Sequence, residues 1–139
     1  MQKIVLDTNV LVSGLIQTSF PYLIIHDLII ERKVLLCISK ELFREYYLVL
    51  NRDKFSKYPD FKGRADLLLA DIELIAQPYL PVNKVTVISD KDDNKLLELA
   101  EEANADYLIT GNTTDFTMET YKGTKIVSPK VYWENYRPT

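Results

Sequence analysis

At 139 residues, 47% of them hydrophobic, the chain is long enough for one domain over residues 1–139 that buries roughly 70% of its unfolded surface, and it needs no second domain. Seventeen Lys and Arg against 20 Asp and Glu give a formal charge of −3, which excludes capture of nucleic acid by bulk charge; a bound polyanion has to meet a local basic patch or a metal ion. The single cysteine, Cys37, excludes an internal disulfide and fits a reducing cytoplasm. The N-terminus lacks the basic and apolar regions of a signal peptide, and the longest apolar stretch, 20–30, is interrupted by His26 and Asp27 and is too short for a bilayer, so a soluble cytoplasmic protein is expected.

The chain opens on Ile4-Val5-Leu6-Asp7-Thr8-Asn9. Three apolar residues ending at a carboxylate, a hydroxyl and an amide read as a buried strand that delivers polar groups to its carboxyl end, where open α/β sheets place ligands. The helix-forming run 10–16 follows without a Gly-rich phosphate loop, so chemistry here rests on an acid. Asp7 also has an ordinary reading as the cap of that helix.

A second helix over 21–32 carries Leu23, Ile24, Ile25, Leu28, Ile29 and Ile30 almost all round, which predicts burial by something beyond its own sheet, such as a homodimer contact. His26 has no patterned partner acid or cysteine and stays outside the site. The run 34–38 is the second buried strand, with Cys37 as a small core residue. Ser39 is placed to cap the next helix, whose core stripe is Leu42, Phe43, Tyr46, Val49 and Leu50. Glu45 lies at the edge of that stripe, and Glu41 one turn earlier on the far side.

A polar connection, 51–60, leads to an amphipathic helix over 61–76 with Leu67, Leu68, Ile72, Leu74 and Ile75 as core, ended by Pro78 and Pro81. The third strand is 85–88. The helix after it runs to about residue 103, with Leu96, Leu97, Leu99, Ala100 and Ala103 as its apolar side. Asn94, Lys95, Glu98, Glu101 and Glu102 fill the opposite arc, and Asp92 and Asp93 fall on the inward half. Strands at 107–109 and 125–127 enclose Thr110-Gly111-Asn112-Thr113-Thr114-Asp115-Phe116. There is no internal repeat or low-complexity tract.

This β-α alternation predicts a parallel sheet with helices on both faces, whose strand ends share one edge. Asp7, the helix of Glu45, Asp92/Asp93 and Asp115 then collect at that edge. One acid there is a cap; four converging acids repel one another unless a divalent cation keeps them ionised. Oxygen ligands without a Cys or His cluster favour Mg²⁺ or Mn²⁺ over Zn²⁺ and suit phosphoryl chemistry.

Ile4-Val5-Leu6-Asp7-Thr8-Asn9-Val10-Leu11, Ser39 with Phe43-Arg44-Glu45-Tyr46 and Val49-Leu50-Asn51-Arg52, Asp92-Asp93-Asn94-Lys95-Leu96-Leu97-Glu98-Leu99-Ala100, and Asp106-Tyr107-Leu108-Ile109-Thr110-Gly111-Asn112 resemble, in order, the successive motifs of PIN-domain nucleases. The likeness is strongest to the toxin components of bacterial toxin-antitoxin pairs. It implies a three-layer α/β/α domain with a mostly parallel, four- to five-stranded sheet and a metal-dependent endoribonuclease activity. Asp7, Glu45 and Asp93 match the family's first three acids, the intervals selecting Glu45 over Glu41 and Asp93 over Asp92. Many relatives carry Asp after the Thr-Gly pair where this chain has Asn112, and Asp115 is then the candidate fourth acid and metal ligand. Thr8, Asn9, Thr110 and Asn112 are expected to hold the carboxylates by hydrogen bonds. Arg44, Arg52 and Lys91 are candidate contacts to RNA, and a cognate antitoxin and a homodimer are the implied partners.

Three other readings share parts of the pattern. A haloacid-dehalogenase-like phosphohydrolase opens with a strand ending in Asp-x-Asp, but the second acid here is Asn9. A phosphoacceptor signalling domain requires an acidic pair near the first strand and a late lysine at a strand end, and neither is present. A catalytically silent binder of RNA or of an antitoxin keeps the same acids without turnover.

Overall fold

The computed structural model describes residues 1–84, 86, 91–112, 116 and 119–139, with residues 91 and 92 described by backbone only. Strands β1 (Lys3–Leu6), β2 (Leu35–Ile38), β3 (Gln77–Pro78), β4 (Tyr107–Ile109), β5 (Thr120–Tyr121) and β6 (Thr124–Val127) form one sheet in the order β3-β2-β1-β4-β6-β5. All neighbouring pairs are parallel except β5 with β6. The helices are α1 (Thr8–Ile16), α2 (Phe20–Leu23, continued by π-type turns over Ile24–Ile30), α3 (Lys40–Leu50), α4 (Phe61–Ile75), α5 (Lys91–Ala103) and α6 (Pro129–Val131, continued by π-type turns over Tyr132–Tyr136). The result is a mostly parallel sheet flanked by helices.

The central strands are apolar throughout because both faces are covered: Ile4, Val5, Leu6, Leu108 and Ile109 are fully buried, the pattern of a strand inside a three-layer domain. Among the described residues six strands stand where four or five are expected. The two additions are edge strands of two residues each, too short and too exposed to leave an apolar run. β5 joins β6 through Lys122 and Gly123, both at positive φ (46° and 87°), the backbone of a tight hairpin turn. The expected strand over 85–88 falls outside the described residues.

Burial corrects the sequence reading on two helices and fills it in on a third. On α4, Leu68, Leu69 and Ile72 are buried, whereas Leu67 and Leu74, expected in the core, are 69% and 78% exposed; the apolar residues ring this helix more widely than its neighbours α1 and α3 cover. On α5, Leu96, Leu97, Leu99, Ala100 and Ala103 are buried, but so are Asn94 and Glu98 of the supposed outer arc. On α2, Ile24, Ile25, Leu28 and Ile29 are buried within the chain itself, which packs α2 against α1 and α6. Gly14 of α1 makes room for this approach, since a Cβ there would stand 2.5 Å from Ile25 Cδ1. Leu23 and Ile30 of the same run stay half-buried, and the elements that cover the rest lie beyond the sheet, as the pattern asks.

Among the described residues no single helix is long and apolar enough to cross a membrane, and the apolar pair α1 and α2 bends by 100°. Cys37 is buried and unbridged, and burial pushes its thiol up to about 11, the behaviour of an inert core thiol.

Candidate active site

The site grows from the carboxyl ends of β1, β4 and β6. The Asp7 amide donates to the Ile109 carbonyl at 3.0 Å, and the Thr110 amide to the Val127 carbonyl at 2.9 Å. The sheet register therefore sets Asp7 and Thr110 side by side, each one residue past its strand. Thr110, wholly buried, donates from Oγ1 to Asp7 Oδ2 at 2.7 Å, and the Asn112 amide donates to Thr110 Oγ1 at 3.1 Å.

Asp7 occupies the cap position of α1 with extended backbone, yet its side chain closes no capping bond to that helix. Burial pushes its carboxyl above the usual carboxylate range; the Thr110 hydrogen bond opposes this, the neighbouring charge of Glu45 adds to it, and the amides of Thr8 and Asn9 pull the other way. The acid is held in a place that disfavours its own charge.

Helix α3 supplies the second acid. Ser39 Oγ accepts from the Leu42 amide at 3.1 Å and starts the helix. Further along, the buried Tyr46 hydroxyl donates to the Leu6 carbonyl at 2.5 Å, tying α3 to the last residue of β1 and setting Glu45 opposite Asp7. Glu45 accepts a short hydrogen bond from the Thr8 hydroxyl on Oε2, and Lys95 Nζ lies 2.7 Å from its Oε1. Glu41 is turned away, with an exposed side chain 3.9 Å from Lys84. Helix α5 supplies Lys95 and the buried Asp93.

Asp7, Thr8, Asn9, Glu45, Asp93 and Asn112 line one cleft of about 200 Å³, completed by Val49 and Arg52 of the α3 end. Thr110 stands beneath Asp7 and does not reach the cleft wall. Asp115 lies outside the described residues. Lys95 was assigned to the solvent side of α5 and instead grips Glu45; its long stem reaches round the helix, which angular periodicity does not capture. Size does not select this cleft. A larger one of about 440 Å³, lined by residues such as Lys125, Val127 and Tyr136, carries a single acid, Glu119.

In kind, the donors fit a hard divalent cation: carboxylate oxygens on one wall, one of them buried and destabilised in its charged form. Among the described residues, however, no three of His, Cys, Asp and Glu stand close enough together to share an ion. The cleft lines up Asp7, Glu45 and Asp93, with Lys95 on Glu45, without forming a closed metal cage.

Comparison with known proteins agrees with this geometry. An uncharacterized protein of Methanocaldococcus jannaschii is 32% identical over 110 residues, covering 79% of this chain and 70% of the relative. PIN domains are generally nucleases that use divalent metal ions. A model described as PIN domain matches residues 3–114, and the chain belongs to the PIN domain family.

Proposed function

We propose that this chain is a metal-dependent endoribonuclease and the toxin of a toxin-antitoxin pair. The observation that carries the nuclease reading is the setting of Asp7: a buried acid at a strand end, gripped by Thr110 and facing the charge of Glu45. Such a setting disfavours the carboxylate's own charge, and a bound cation would offset that.

Asp7, Glu45 and Asp93, which line one cleft, are the acids that would hold Mg²⁺ or Mn²⁺ once drawn together around it, with Asp115 as the fourth acid. When bound, such an ion neutralises phosphate charge and activates water for in-line attack on a phosphodiester. The chain's own groups do the positioning. Thr110 fixes the rotamer of Asp7, and Thr8 and Lys95 fix that of Glu45. Arg52, on the cleft wall, would meet the charge of a bound phosphate, and Asn9 and Asn112, on the same wall, would be within the site that receives its oxygens. The reading carries with it RNA as substrate, a cognate antitoxin as protein partner, a homodimer as assembly and the cytoplasm as place of action. Nothing in the cleft favours the dehalogenase-like alternative, whose second acid position is Asn9.

The test is cleavage of single-stranded RNA by the purified chain with Mn²⁺, with Mg²⁺ and with chelator. Cleavage that requires the ion and disappears in Asp7→Asn supports the reading. Cleavage that persists in chelator and in Asp7→Asn returns Asp7 to the role of a helix cap.

A further inference from the structure

We infer that the connection from α3 to α4 together with the first turn of α4, residues 52–64, is a binding track for the phosphodiester backbone of a single-stranded nucleic acid running out of the cleft. For its ligand the inference rests on the nuclease reading above. Arg52, Lys54, Lys57, Lys62 and Arg64 stand here against only Asp53 and Asp60, in a chain whose total charge is −3. All seven of these residues are exposed. Positive charge is therefore concentrated in one short segment of an acidic protein.

The segment is continuous with the site. Its first residue, Arg52, is part of the cleft wall, and Lys62 Nζ bonds Asn51 Oδ1 at 2.9 Å, bringing the far end back beside Arg52. Its shape is fixed from below. Phe55 and Phe61 are buried and stack at 4.9 Å, and the Tyr58 ring lies 6.3 Å from Phe61. The ammonium groups of Lys54 and Lys57 sit over the Phe55 and Tyr58 rings at 5.2 and 5.3 Å, held at the surface.

Cations that serve only solubility are commonly interspersed with acids of opposite sign. Among the described residues, Arg52, Lys54, Lys57 and Arg64 have no ion-pair partner, and Lys62 meets Asp66 only at 3.8 Å with both side chains largely exposed. Unpaired cations in a row beside an acid-lined cleft match a linear polyanion, whose bound counterions are released on contact.

The test is binding of a labelled oligouridylate in chelator, which suppresses metal-dependent cleavage, across a series of KCl concentrations. Wild-type affinity falls with salt. In the triple variant Lys54→Gln/Lys57→Gln/Lys62→Gln the slope of log affinity against log salt becomes shallower by about 2, at roughly 0.7 per lost single-strand contact. A control with the same charge change, Lys122→Gln/Lys125→Gln/Lys130→Gln, keeps the wild-type slope. An oligodeoxynucleotide of equal length shows the same difference, because the track reads backbone and not the 2′-hydroxyl. A wild-type chain that does not bind, a triple variant with unchanged slope, or a control that shifts as much would each overturn the inference. A chain that shows the slope difference yet cleaves no RNA supports the track and removes the nuclease reading. RNA cleavage together with an unchanged slope in the triple variant removes the track alone.

Discussion

Asp7 and Glu101 are both acids held by hydrogen bonds, and their settings are opposite. Glu101, on the outer side of α5, accepts from Lys122 at 2.8 Å and from Asn83 at 3.3 Å. The Lys122 bond holds its carboxyl below the usual range. Asp7 is buried at the end of β1, and burial together with the charge of Glu45 holds it above that range despite Thr110. Folding favours the ionised form of Glu101 and disfavours that of Asp7. By linkage, the contribution of Glu101 to stability is present above its ordinary pKa of 4.5 and fades as the pH falls. Asp7 does the reverse: its ionised form costs stability at neutral pH, and the cost disappears as acid protonates it. Glu101 is placed as an acid serving the fold, and Asp7 as one that the fold tolerates for another purpose.

The comparison is broken or sharpened by four substitutions. The largest effect is expected for Asp7→Asn, which should reduce metal-dependent RNA cleavage by at least about a hundredfold, the upper range seen for groups that merely orient ligands. Without metal its melting temperature should equal or exceed wild type at neutral pH, and the difference should shrink as the pH falls. A large loss of melting temperature with cleavage intact would make Asp7 structural after all.

Thr110→Val keeps shape and removes the bond to Asp7. Cleavage should fall roughly tenfold, as for a group that orients a ligand, with about 1 kcal/mol lost from stability in denaturant melts. Tyr46→Phe should cost about 1 kcal/mol by leaving the Leu6 carbonyl without its donor, and should change cleavage less than Thr110→Val, since it acts on helix placement. Lys122→Gln should be the smallest: it removes an exposed partner of Glu101, where solvent screening leaves little to lose. Its slight drop in melting temperature should vanish in acid, and its cleavage should match wild type.

Much of this arrangement is legible in the sequence because it follows from short-range rules. The apolar runs ending at Asp7 and Thr110 declare buried parallel strands, and Ser39 declares the start of α3 through the bond that it makes to Leu42. What was not legible depends on neighbours. β3 contains Pro78 and is two exposed residues long, so only its pairing with Cys37 and Ile38 makes it a strand. Leu67 and Leu74 fit a helical core stripe by spacing, and only the placement of α4 on α1 and α3 shows that nothing among the described residues covers them. The Lys122-Gly123 turn was the available signal for β5, since glycine accepts the positive φ that such a turn needs. In the cleft, the bond of Lys95 to Glu45 joins two helices far apart in sequence, and no periodicity within either one records it. The choice of Glu45 over Glu41 came from the resemblance to PIN domains; the structure puts Glu45 on the cleft wall and Glu41 in solvent beside Lys84.

That choice offers the most direct test of the account, because Glu41 and Glu45 lie on the same helix and carry the same charge. Mn²⁺ affinity and RNA cleavage should be measured for Glu45→Gln, Asp93→Asn and Glu41→Gln at one fixed salt concentration, since RNA affinity itself depends on salt. Each substitution removes one negative charge, so the long-range field changes alike. Glu45→Gln and Asp93→Asn should weaken Mn²⁺ binding and cut cleavage severely, and Glu41→Gln should do so only mildly, through charge alone. Three indistinguishable variants, or a Glu41→Gln variant as damaging as the other two, would contradict the claim that the acids lining this cleft carry the metal.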